Sequence, residues 1–413
     1  MNRPNLIQVF EHHTLRVGEK SFSQQHFKSM VLFNEQHNNK YFTVGYNSVK
    51  FTSYVGVLQV GGLTIEVLPK ADNNSKVDES TWQGVLLNML KVCKHLKVDN
   101  ISEAQLAKRY NSILEVYYDM FLTEVETLIH KGLIKKYRRK KSNQTALKGK
   151  LLFAKNIQKN IVHKERFYCE HQIYDKNHVY HQILKEALTI LSLMVNTNLE
   201  DKVKRCSFAF DSVTSLKITA KHFETLTLNR HTSPYTNALN ISKMIILNYS
   251  PSLSSGSDNM LTLLFNMNQL WEDYLYRILY KHTDSSLEIL PQQSEYFWET
   301  KSIRPDIVIK HRDTKETYII DTKWKVVDNS EPSDNDLKQM FTYNLYWEAE
   351  KSLLLYPKLD QRDSSFGKYQ YIDNKKTSNT CKLGFVSIVE NGGMRAEANI
   401  VTDIMAKLIP NTR

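Results

Sequence analysis

The chain has 413 residues, 41% apolar, with only 13 Gly and 9 Pro, enough for two or three cores and a composition that argues against disorder. Its four cysteines, Cys93, Cys169, Cys206 and Cys381, are scattered without C-x-x-C or Cys/His spacing, which argues against a disulfide framework or a zinc ribbon. The net charge of +11 comes from 55 basic and 44 acidic residues, and residues 131–164 carry twelve Lys or Arg and no Asp or Glu, so one segment holds the whole excess.

The N-terminus, Met1-Asn2-Arg3-Pro4-Asn5, lacks an apolar signal core, and no apolar run approaches the ~18 residues needed to span a bilayer. A cytoplasmic protein without a membrane partner is expected. Residues 1–75 read as a small β-rich domain, with a barrel as one form. Tyr41–Tyr46 and Tyr54–Val60 are strands, and Gly61-Gly62 turns the second into Leu63–Leu68. Ala71–Ser75 is a polar break. Beyond it the apolar spacing becomes helical, at Trp82, Val85, Leu86, Met89 and Leu90 and again from Leu106 to Ile129.

These helices lead into the basic stretch. A solvated surface is the ordinary explanation of such a run. A sequence-independent contact to a nucleic-acid backbone is favoured, because phosphates demand concentrated positive charge more than particular side-chain shapes. Lys131, Lys135, Lys136, Arg138, Arg139, Lys140, Lys141, Lys148 and Lys150 are the candidate DNA-binding residues. Lys148–Phe153 reads as a turn into a short strand, and residues 179–197 as a buried helix. The mixed region therefore runs over 76–245, and the last domain over 246–413, with Ser252–Asp258 supplying caps for a helix that reaches His282. No G-x-x-x-x-G-K-[ST] phosphate loop occurs.

The last domain carries the candidate chemistry. Asp306 opens one β-branched run, Ile307-Val308-Ile309, and Asp321 closes the next, Tyr318-Ile319-Ile320, with a polar loop at 311–315 between them. Alternation along a strand puts Asp321 and Lys323 on one face, and a hairpin brings Asp306 beside them. Other acid-x-Lys triplets, at Glu200, Asp313, Asp336 and Asp373, follow no such strand and read as solvated turns or helix starts. Asp321 differs, because a buried carboxylate without a partner or metal is costly. On the preceding helix Leu264, Met267, Trp271, Tyr274 and Ile278 form an apolar seam, and Glu272 sits on a flank with Phe265, Leu275 and Leu279. On a helix expected from about Asp334, Gln339 and Tyr343 stand four apart and can both face the sheet.

Asp306 and Asp321 are hard oxygen ligands suited to Mg²⁺, with Mn²⁺ as a substitute, and Glu272 and Thr322 complete the candidate metal set. Lys323 would orient a water or neutralise developing charge. Gln339 and Tyr343 would support it, which points to a metal-dependent phosphodiesterase.

In this order the motifs resemble the PD-(D/E)xK nuclease superfamily, with the Q-x-x-x-Y helix of its RecB-like branch. Tyr54–Val57, Ile65–Lys70, Leu147–Leu151 and Phe265–Asn268 before Trp271-Glu272 further resemble the McrC family and its LlaJI-type relatives. Trp271 stands where a Phe commonly precedes the glutamate. The resemblance implies an α+β multidomain chain: a β-rich N-terminal domain, a mixed helical middle and a nuclease core of mixed sheet and helices. It also implies a Mg²⁺-dependent endonuclease subunit of a bacterial anti-phage restriction system, acting on double-stranded, modified DNA. Its implied partner is an McrB-like AAA+ GTPase or ATPase hexamer that the N-terminal domain contacts. The alternatives are a non-catalytic activator or scaffold of such a ring, and a stand-alone nucleic-acid-binding protein.

Overall fold

The computed structural model describes residues 5–70, 78–93, 112–195, 199–250, 260–325, 332–357, 363–370, 376–390 and 392–409. The backbone gathers into two compact units, one of Leu114–Leu263 and one of Asn5–Ile113 with Leu264–Arg413. This grouping differs from three consecutive blocks, because the first strands share a core with the last part of the chain. Glu11 shows how: its Oε1 accepts from Trp324 Nε1 at 2.6 Å and from the Lys70 amide at 2.9 Å.

In the discontinuous unit, strand Asn5–Phe10 runs parallel to Leu63–Leu68, which pairs antiparallel with Tyr54–Val60. The turn between the last two rests on Gly61, whose φ of 55° suits a residue without Cβ. Thr14–Arg16, Ser48–Phe51 and Phe42–Gly45 form a separate antiparallel sheet. A helix, Gln24–Gln36, is capped by Ser23, whose hydroxyl accepts from the His26 amide. Two sheets and a helix thus replace the expected barrel. Helix Glu79–Val92 buries Trp82, Val85, Leu86, Met89 and Leu90, the positions its periodicity marked. The Ala71–Ser75 break and the start of the helix expected from Leu106 lie outside the described residues; helix Ile113–Lys131, which belongs to the other unit from Leu114 on, follows.

The last part of this unit is built on a six-stranded mixed sheet, in the order Leu287–Pro291, Ile307–His311, Thr317–Thr322, Lys351–Pro357, Lys376–Val386, Gly367–Gln370. Ile307–His311 and Thr317–Thr322 make the expected hairpin, from Ile307↔Ile320 to Lys310↔Thr317. Its exposed turn holds Lys315 at φ 63°, as a solvated turn would. Thr317–Thr322 then runs parallel to Lys351–Pro357, and helix Asp334–Tyr346 makes the crossover. Every residue of Thr317–Thr322 is buried, as a strand covered on both faces should be. Ile319, two residues before Asp321 and so on its face, packs with Met340 and Tyr343 of that helix and with Leu354 and Tyr356.

The segment Met260–Asn266 is a strand, and the helix is Met267–His282. The expected helix start was too early: its proposed caps, Ser252–Asp258, lie outside the described residues, and Leu264 belongs to the strand. The observed N-cap is Asn266, whose side chain accepts from the Asn268 and Gln269 amides. Leu275 and Leu279 are fully buried with Trp271, Tyr274 and Ile278, so the helix face is wider than the seam alone.

In the unit Leu114–Leu263, helices Val179–Met194 and Thr236–Leu247 carry much of the core. The basic stretch is not a helix end: Lys136–Gln144 is a nine-residue strand paired antiparallel with Phe167–Asp175. A run so rich in Lys and Arg forms a strand because the register sets Lys136 against Asp175 and Lys141 against Glu170. Lys150–Leu151 adds a short third strand, and the helix Phe153–Asn160 follows it. Among the described residues no helix is long and apolar enough to cross a membrane.

Gly149, at φ +73°, sits where a Cβ would collide with the Glu170 carbonyl oxygen and press on His171. Gly149→Ala should therefore lower stability by about 1–3 kcal/mol, read as a lower urea midpoint with an unchanged slope. An unaltered midpoint would show that the turn relaxes freely.

Candidate active site

Asp321 is the centre of the site. Only 1% of it is exposed, and Lys323 Nζ lies 2.6 Å from its Oδ2. The approach is off the hydrogen-bond axis, since Oδ2 has no aligned donor among the described residues. Burial and the nearby Asp306 raise the Asp321 carboxyl to about 7, against the pull of Lys323. Asp306 is raised as well, chiefly by burial and against two hydrogen bonds from Thr322. Those bonds reach Asp306 Oδ2 from the Thr322 amide at 2.7 Å and its hydroxyl at 2.9 Å. Burial opposes the charge on Lys323, yet Asp321 and Asp306 together hold its pKa above the ordinary value. It is therefore an ammonium donor rather than a free amine.

The hairpin thus brings Asp306, Asp321, Thr322 and Lys323 together, and the crossover helix supplies a support. Lys323 Nζ donates to Gln339 Oε1 at 3.4 Å, Gln339 Nε2 donates to the Tyr343 hydroxyl at 2.6 Å, and that hydroxyl donates to the Arg304 carbonyl at 2.9 Å. This relay ties the ammonium to the main chain just before Pro305-Asp306. Met340 and Tyr343 anchor the helix in the core, which leaves Gln339 little choice of direction.

Glu272 joins from the Met267–His282 helix. Its carboxyl is raised by burial and then by the charge of Asp306, and the Gln292 side-chain amide donates to its Oε1. Gln292 also donates its main-chain amide to the Asp306 carbonyl at 3.0 Å. It holds φ 45° to do so, a conformation disfavoured for a residue with a side chain. Gln292 and Arg304 were missed in the sequence, where neither falls in a motif; a non-glycine strained at a strand end is a signal only coordinates carry.

Asp336 was also misjudged. It does start a helix, capped by Ser333, but it is buried, with Lys325 Nζ at 2.7 Å and the Tyr356 hydroxyl at 3.4 Å. Burial works against its charge, and Lys325 with Ser333 still brings its carboxyl below the usual value. Of the other acid-x-Lys triplets, Glu200 opens a helix and Asp313 sits in the hairpin turn, while Asp373 lies outside the described residues.

Among the described residues no three His, Cys, Asp or Glu form a group able to hold a metal by themselves. The donors present are instead two paired carboxylates, one with an unaligned buried oxygen, which fits a hard cation that keeps several of its waters. Thr322 donates both its amide and its hydroxyl to Asp306.

The basic candidates all lie in the other unit. Lys131, Lys135, Arg139, Lys140, Lys141, Lys148 and Lys150 are exposed and Lys136 and Arg138 half-buried. Arg138 is engaged by Asp175 in a two-pronged pair, with Nη2 at 2.8 Å, and Arg139 and Lys141 both approach Glu170. Lys136 lies over the Tyr180 ring and Lys135 over Tyr174.

A model of the family described as McrBC 5-methylcytosine restriction system component matches residues 49–357. A solved half-complex from a tetradecameric assembly of Thermococcus gammatolerans McrB AAA+ hexamers with bound McrC contains a chain of similar fold. The match covers 96% of this chain and 98% of that one, at 19% identity and a TM-score of 0.68. A cryo-EM structure of the McrBC complex of the same organism matches over 68% of this chain and 88% of its own, at 18% identity and a TM-score of 0.49. No curated protein matches the chain.

The buried acid makes a pH prediction. The Asp321 carboxyl titrates near 7 in the folded chain, against 3.8 when unperturbed. Between those values the folded state holds a proton that the unfolded state has lost, so stability falls as pH rises through that window. In EDTA at pH 8, Asp321→Asn should raise the melting temperature by about 2–4 °C, on the order of 1 kcal/mol. At pH 4 the gain should vanish. A variant less stable than the parent at both pH values would mean that the carboxylate holds the fold together.

Proposed function

The chain belongs to the McrBC family of 5-methylcytosine restriction system components, and on that premise we propose that it is the DNA-cutting subunit: a Mg²⁺-dependent endonuclease licensed by an McrB-like AAA+ ring. The observation that supports this most is the convergence of Asp306, Asp321 and Lys323 at the ends of paired strands, with Lys323 held by the Gln339–Tyr343 relay.

Asp306 and Asp321 would hold the ion, with the Thr322 carbonyl beside them and Glu272 acting through water. When bound, Mg²⁺ or Mn²⁺ supplies a Lewis acid that polarises the scissile phosphate and acidifies a water. Thr322 keeps the Asp306 carboxylate turned to one side by two donated hydrogen bonds. The Lys323 ammonium steers the attacking water or the phosphate oxygen by donation and offsets charge as it develops in the transition state. Without the ion, Asp321 and Asp306 favour the protonated form of Lys323, which suits it to donate. Gln339 takes one Nζ hydrogen, which fixes where the others point.

The Lys136–Gln144 strand and its neighbours offer exposed Lys and Arg, with Tyr137 and Tyr174 in contact at 4.7 Å on the same ribbon. We assign to this surface a sequence-independent grip on duplex DNA. The partner is read as a hexameric GTPase or ATPase of the kind seen with the Thermococcus gammatolerans McrC.

Asp321→Ala and Lys323→Ala should each lower cleavage with the partner ring by at least ~100-fold and leave stimulation of nucleotide hydrolysis intact. Cleavage at parental rate in either variant would remove the assigned site. Neutralising Arg139, Lys140, Lys148 and Lys150 together should weaken DNA binding and flatten its salt dependence by about 3–4 in slope. A slope equal to the parent's would return the ribbon to an ordinary solvated surface.

A further inference from the structure

Beside the paired acids opens a cleft of about 280 Å³ whose polar lining is Asn266, Gln269, Glu272, Asp273, Gln292 and Arg304. Several of these groups are already engaged. Asn266 Oδ1 caps the helix, the Gln292 amide is on Glu272, and Asp273 pairs with Arg277 at 3.7 Å. Hydrogen-bond donors remain: the Asn266 amide group, the Gln269 side chain and the Arg304 guanidinium, which forms no ion pair among the described residues.

Arg304 is well placed for more than charge balance. Its carbonyl is fixed by the Tyr343 hydroxyl at 2.9 Å, and the next two residues are the buried Pro305 and the half-buried Asp306. The side chain is therefore carried by the same rigid stretch of backbone that carries the acid. It is exposed and lies close enough to Asp306 and Glu272 to help their charged forms. A free anion would be repelled by Glu272 and Asp273. A phosphodiester tethered to a neighbouring phosphate that is itself held at the acids would not need to arrive alone, and its sugar and base bring acceptors that suit amide donors.

The geometry points to this cleft as the seat of the nucleotide adjoining the scissile bond, with Arg304 gripping the phosphodiester next to the one that is cut and Asn266 and Gln269 donating to the sugar or base edge. The assignment rests on the nuclease reading given above. It makes Arg304 a substrate-binding residue that sets where the strand lies relative to Asp306.

The test uses the full chain with its partner ring on a duplex whose cut position has been mapped, with single methylphosphonates scanned across the neighbouring phosphates. One flanking methylphosphonate should raise the parent's KM about 10-fold, and R304A should raise KM on unmodified DNA by a similar factor while being insensitive to that modification. R304K, which keeps a point charge, should recover part of the loss. Binding of the chain alone to DNA in EDTA should show a salt slope smaller by about 1 in R304A. Retained methylphosphonate sensitivity in R304A, or an unchanged salt slope, overturns the assignment of Arg304. Failure of the underlying reading has a different signature, namely undiminished cleavage by Asp321→Ala.

Discussion

Most of the site follows from one constraint: Asp321 must be kept almost entirely away from water and next to another carboxylate. Burying a charge this way is unfavourable unless something compensates. The chain compensates locally with Lys323 and at longer range by holding Asp306 through Thr322. What remains unsatisfied, an oxygen without an aligned donor and two carboxyls pushed upward, is what a hard cation would relieve. Affinity for the proposed ion would thus have the same origin as instability of the site without it.

The sheet supplies the rigidity this arrangement needs. Asp321 ends a strand buried on both faces, flanked by one antiparallel and one parallel neighbour, so its position is fixed from two sides. The crossover helix packs Met340 and Tyr343 into the core below. The relay from Lys323 to the Arg304 carbonyl closes a loop between three separate pieces of chain, and each link is a hydrogen bond between groups whose backbones are held elsewhere.

Much of this was legible in the sequence because the signals were local. The β-branched runs around Asp306 and Asp321, the polar 311–315 turn and the i, i+4 pair of Gln339 and Tyr343 each specify their own geometry within a few residues. Reading failed where a distant partner decides. Lys136–Gln144 has no strand propensity of its own and becomes one through Glu170 and Asp175. Met260–Asn266 is an apolar run that periodicity alone cannot assign, and the Asn266 cap identifies the true helix start only once the strand is known. Asp336 read as solvated because burial by Lys325 and Tyr356 comes from elsewhere in the chain. Gln292 gave no sign at all, since its part is played by an unusual φ and a main-chain bond to Asp306.

Glu11 has a consequence for modularity. It directly follows the first strand, yet its carboxylate receives the indole hydrogen of Trp324, the residue directly after Lys323, while Trp324 packs edge-on against Trp271 at 5.3 Å. Burial lifts its carboxyl to about 7, so this is a costly link, made across more than three hundred positions of sequence. The proposed active site is consequently not a cassette that evolution or an engineer could lift out at residue 264 and graft onto another chain. Any exchange between relatives would have to bring the first strand along with the last half of the chain, and recombination breakpoints that keep activity should flank the inserted unit at 114–263 instead.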